Sequence, residues 1–151
     1  MRSPGRPYTR MSKRQTWAAA LLGIYGAAVL WVTVFSRDTL QKDPLLFQPF
    51  HSFLSIMEQG FSAGPARDLI GNVLLFLPVG CLFPPAFQRG WKATLLFGLC
   101  ACLLVETLQL ALHKGFFEID DMITNTAGAG LGYLIYRLLT AILRRKKVGE
   151  V

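Results

Sequence analysis

The stretch Trp17 to Phe35 reads WAAALLGIYGAAVLWVTVF, 19 positions without one charged side chain. As a helix it is about 28 Å long, close to the roughly 30 Å hydrocarbon core of a bilayer. A helix on a soluble protein would carry a polar face over this length. A basic segment precedes the stretch, as in a secretory leader, but the run is longer than the usual apolar core of about 7 to 15 residues. Its exit, Val34-Phe35-Ser36-Arg37-Asp38, offers no small-x-small cleavage site. A retained membrane span is therefore predicted.

Three further runs of the same kind follow. Leu69 to Phe87 is interrupted only by Asn72 and by prolines, Ala93 to Leu112 carries Glu106 and Gln109, and Met122 to Leu143 carries Asn125 and Arg137. With 52% hydrophobic and 17% charged residues in 151, the chain has too little polar surface to cover a small soluble globule. The expected fold is all-α, a polytopic membrane bundle of four transmembrane helices spanning about 17–35, 69–87, 93–112 and 122–143. Residues 1–16 and 144–151 form basic tails around a transmembrane domain at 17–143. Pro78, Pro84 and Pro85 each remove a backbone donor and favour a kink or an early end to the second span.

Between the first two spans lie 33 residues, Ser36 to Asp68, too many for a turn. Phe50, Phe53, Leu54, Met57 and Phe61 recur at helical spacing there, with Ser52, Ser55, Glu58 and Gln59 on the other side. Pro49 suits a first helical turn and Gly60 a stop. The pattern predicts a short amphipathic helix lying on the membrane surface in the first outer loop.

The net charge of +7 would suggest nucleic acid in a soluble protein, but the charge lies outside the apolar runs. Arg2, Arg6, Arg10, Lys13 and Arg14 precede the first span, and Arg144, Arg145, Lys146 and Lys147 follow the last, where such residues hold a span against anionic lipid. Along an alternating path, 12 Lys and Arg fall on the side of the termini and 4 on the other. The positive-inside rule thus predicts a multi-pass protein of the cell membrane with both termini cytoplasmic. Cys81, Cys100 and Cys102 sit within apolar runs in an odd number, which suggests packing rather than a disulfide framework or a metal site.

Polar groups inside a span cost on the order of 2.5 to 3.5 kcal/mol at its centre when ionised, so each asks for a reason. Asn72 opens span two, Glu106 and Gln109 close span three, and Asp121 and Asn125 open span four. On the predicted path all five fall at the outer end of the bundle. Glu106 and Gln109 are three apart and Asp121 and Asn125 four apart, so each pair shares a helix face. Gly128 and Gly132 continue the second face as a Gly-x-x-x-Gly seam that admits a close neighbour.

One reading of these groups is structural, as interhelical hydrogen bonds and helix-start caps. The other is an outer polar site of Asn72, Glu106, Gln109, Asp120, Asp121 and Asn125, in which Glu106 exchanges a proton or binds a polar headgroup. A cation site of Asp120, Asp121 and Glu118 is a third arrangement. His113 reads as a solvated loop residue. No P-loop, nucleophile elbow or zinc signature is present, and no cofactor is called for.

Three stretches carry a resemblance to the VanZ-like family, small bacterial membrane proteins named for a teicoplanin-resistance protein. Asn72-Val73-Leu74-Leu75-Phe76-Leu77-Pro78-Val79-Gly80 resembles the family's Asn-to-Pro-x-Gly span, and Glu106-Thr107-Leu108-Gln109 its Glu-x-x-Gln span end. The segment from Phe117 through Glu118, Asp120, Asp121 and Asn125 to Gly128 is similar to its acidic loop entering a glycine-rich span. Gln48-Pro49-Phe50 matches the Pro-Phe of its first loop. Lys114 departs from the pattern, standing where an arginine is expected.

The resemblance implies an envelope role, with protection against a lipid-tailed glycopeptide, teicoplanin, in the named member, and supplies no established reaction. Expected partners are membrane lipids and a cell-wall precursor or lipoglycopeptide, with no nucleic acid. A non-enzymatic role is favoured because no nucleophile-base pair is visible. The alternative is a membrane enzyme acting on a lipid-linked substrate, with Glu106 or Asp121 as general acid or base. A transporter fits less well, since the polar groups gather at one end rather than lining a path.

Overall fold

The computed structural model describes residues 10–39, 45–46, 50–59, 63–114 and 117–149. Four of its helices are long and apolar enough to cross a membrane, and the chain is a multi-pass membrane protein. Ile24, Leu134 and Leu138 are each more than 60% exposed, at 68%, 62% and 61%. Apolar side chains so placed along whole helices are stable against lipid rather than water.

Helix α1 (Lys13–Leu30) starts inside the stretch that composition assigns to the tail. Ser12 and Gln15 form a reciprocal capping box there, satisfying two helix-start donors. The helix continues as a π-helical turn, Trp31–Phe35, closed by Ser36 N–H donating to the Trp31 carbonyl at 2.8 Å. A parallel two-residue pairing follows, in which β1 (Leu45–Leu46) lies beside β2 (Phe117–Glu118).

The amphipathic segment forms α2 (His51–Gln59), and its apolar residues Leu54 and Met57 remain exposed, as a helix lying on a membrane requires. Pro49, Gly60 and Phe61, also read as parts of this segment, and Gln48 of the family resemblance lie outside the described residues.

Helix α3 (Ala63–Phe87) runs without a break through Pro78, Pro84 and Pro85. The expected early end does not occur. Proline is tolerated within a span where packing against neighbours compensates the lost bond, and α3 makes the most extensive helix pairing of the molecule, with α5. After α3, Gln88 takes the left-handed conformation (φ 53°) and donates its N–H to the Pro84 carbonyl, which turns the chain into α4 (Trp91–Ala111).

Helix α5 (Ile119–Gly149) begins three residues before the apolar run, so Asp120 and Asp121 occupy its first turn. Carboxylates there are favoured by the positive end of the helix dipole. On the α3–α5 seam a Cβ at Gly128 would collide with the Val73 carbonyl, one at Gly132 with the Leu77 carbonyl, and one at Gly80 with the Ala129 carbonyl. Glycine on both helices is what lets these backbones touch. Leu22, Phe76, Val79, Phe83 and Cys102 form a core cluster joining α1, α3 and α4.

Candidate functional site

The bundle has an acidic end, where α1 and α4 finish and α3 and α5 start. Four of the six sequence-predicted polar residues are almost fully enclosed there: Glu106, Gln109, Asp120 and Asn125 are 2–5% exposed. Asn72 and Asp121 are half-buried.

Each makes a hydrogen bond to another segment. Asn72 Nδ2 donates to Asp121 Oδ1 at 2.6 Å, joining α3 to α5. Glu106 Oε2 accepts the Glu118 N–H at 3.2 Å, joining α4 to β2. Asp120 Oδ1 accepts the N–H of Phe50, the residue that leads into α2. Phe50 has a φ of 65°, a strained backbone conformation for an aromatic residue, and this bond helps hold it there.

Two predicted members turn elsewhere. Gln109 shares a face with Glu106 but donates to the Thr33 carbonyl of α1 at 2.9 Å. Asn125 shares a face with Asp121 but donates to Cys102 Sγ on α4 at 3.1 Å. The six residues thus form a ring of ties between separate segments rather than one mutual knot. Asn72 and Asp121 bond directly, and Glu106 lies within electrostatic reach of Asp121.

Several participants escaped the sequence reading. Span one carries no polar side chain that stood out, yet the Thr33 carbonyl is a site partner. Carbonyls of a last helical turn lack internal partners, and Gln109 supplies one. Cys102, read only as packing, is completely buried and accepts a bond from Asn125. Arg37 is a basic residue acting on both Glu106 and Asp121, with Glu118 adding negative charge. Lys114 Nζ donates to the Arg37 carbonyl. A single main-chain acceptor needs no guanidinium fork, so lysine serves there.

Among the described residues no three Asp, Glu, His or Cys side chains converge closely enough to hold a metal ion. His113 is exposed, in the turn that ends α4. Beside the acidic ring, Phe50, Leu69, Ile70, Val73, Asp120, Ile123 and Thr124 line a groove of about 400 Å³ whose open wall is apolar.

The sequence matches the model of the VanZ/LLP1 family over residues 22–140. It is also similar to Protein VanZ of Enterococcus faecium, at 30% identity over 132 residues, covering 87% of this chain and 80% of the relative. No solved structure matches.

Proposed function

The chain belongs to the VanZ/LLP1 family, and from that premise we propose that its acidic end is an outer-leaflet site for the headgroup of a lipid-tailed envelope ligand. Such a ligand is a wall precursor or a lipoglycopeptide, and binding it contributes to teicoplanin tolerance. The observation that carries the reading is the apolar groove, lined in part by Asp120, at the same end of the bundle that encloses Glu106 and half-buries Asp121. An acyl chain fits the apolar wall, and polar or cationic headgroup atoms fit the carboxylates. The excess of Lys and Arg at the opposite end supports an outward-facing acidic end and cytoplasmic termini in the cell membrane.

The proximity of Glu106 to Asp121 also suits general acid–base work on a lipid-linked substrate. It lacks an activated nucleophile among the described residues: the nearby Thr124 hydroxyl donates to the Asp120 carbonyl at 2.9 Å. A binding role is therefore preferred.

The test is tolerance itself. A susceptible bacterium expressing the chain is expected to survive higher teicoplanin than the same strain with an empty vector, with less gain against a glycopeptide lacking the lipid tail. Equal survival of the two strains would remove the resistance assignment.

A further inference from the structure

At the end of the bundle opposite the acidic ring, α1 and α4 start and α3 and α5 finish around a recess of about 870 Å³. Four arginines from three segments line it: Arg14 on α1, Arg89 in the α3–α4 turn, and Arg137 and Arg144 on α5. Among the described residues lining it there is no Asp or Glu. Like charges gathered in one recess repel, and an anion relieves that repulsion.

The recess is organised as well as charged. Arg137 Nη1 donates to the Tyr133 hydroxyl at 3.1 Å, which steers the guanidinium along α5. Gly90, the cap residue of α4, has no side chain to bond the first turn of that helix, so N–H donors and the positive end of the dipole meet the same recess. Trp17 and Trp91, 67% and 54% exposed near the starts of α1 and α4, mark the headgroup level of the bilayer beside it.

We propose that this recess is a binding site for an anionic phosphate group, carried by a membrane phospholipid headgroup or free in solution. Arginine forks match phosphate oxygens in pairs, and a basic pocket between membrane helices at headgroup depth suits an anionic lipid. The proposal concerns the end opposite the acidic ring and stands independently of it.

The test titrates the full chain in neutral detergent with phosphatidylglycerol, phosphatidylcholine or inorganic phosphate, read by mass spectrometry of the intact complex. R137Q/R144Q is compared with K92Q/R145Q, which removes the same charge from the same end outside the recess. All four positions are exposed, so neither pair disturbs the core. Phosphatidylglycerol is expected to bind better than phosphatidylcholine, and R137Q/R144Q to weaken it about tenfold or more while K92Q/R145Q changes it less than about twofold. If inorganic phosphate binds with the same dependence and displaces the lipid, the ligand is a free phosphate group; if it does neither, the lipid headgroup is the ligand. Equal losses in the two variants, no loss in R137Q/R144Q, or equal binding of the two lipids would overturn the proposal.

Discussion

Asn72, nine residues into α3, and Asp121, in the first turn of α5, are joined by a 2.6 Å hydrogen bond. The bond sits at the acidic end of the glycine seam, so one tie of the polar ring and the close glycine packing fall on the same pair of helices. Replacing Asn72 by Leu leaves Asp121 without this donor, and the expected loss is about 1–2 kcal/mol in unfolding free energy. Steric trapping or denaturant titration in bicelles measures it. Asn72→Asp sets a second carboxylate against Asp121 and is expected to cost more than Asn72→Leu.

Glycines separate by sign. Gly132→Ala and Gly80→Ala each drive a methyl group into a facing carbonyl, and each is expected to cost about 2 kcal/mol or more, because the backbones must part. A Cβ at Gly23 or Gly26 meets nothing within 4 Å. Alanine there is expected to stabilise by up to about 1 kcal/mol, by helix propensity alone. Thermal unfolding of the four single variants in one detergent distinguishes them; equal effects at all four would contradict the seam.

Gln109→Leu removes the tie between α4 and the end of α1. The expected outcome is faster amide exchange over Thr33 to Arg37, with α5 protection unchanged, measured by hydrogen–deuterium exchange in bicelles. A stability loss of about 0.5–2 kcal/mol accompanies it.

Topology has a separate check. A single cysteine placed at His113 in a background lacking Cys81, Cys100 and Cys102 is expected to react with an impermeant maleimide in intact cells, whereas one at Arg145 reacts only after permeabilisation. The reverse pattern would turn the acidic end to the cytoplasm.

What could be read from sequence, and what could not, follows from which atoms do the work. Four spans and a surface helix are written in side-chain hydropathy, and the Gly128–Gly132 spacing is written in residue identity. The Thr33 carbonyl and the Phe50 N–H are main-chain groups that no side-chain pattern reveals. Pro78, Pro84 and Pro85 read as breakers because the breaker rule weighs one helix alone, whereas α3 lies against α5 along its length. Asp121 reads as a helix-start residue at the edge of the apolar run, and the helix begins further back than that run, at Ile119, so Asp120 joins it in the first turn, where the dipole favours both. Shared faces on α4 and α5 could be counted from spacing, but spacing does not say which neighbour each residue meets. Glu106 and Gln109 therefore part company, as do Asp121 and Asn125.

The central claim, that the acidic end meets a lipid-tailed ligand from outside, is tested most directly by teicoplanin survival of cells expressing Glu106→Gln or Asp121→Asn at wild-type membrane abundance. Both variants keep size and hydrogen-bonding shape while removing the ionisable group. The account predicts that each lowers the survival threshold towards that of cells without the protein. Wild-type tolerance in both variants, in a strain whose tolerance depends on the protein, would contradict it.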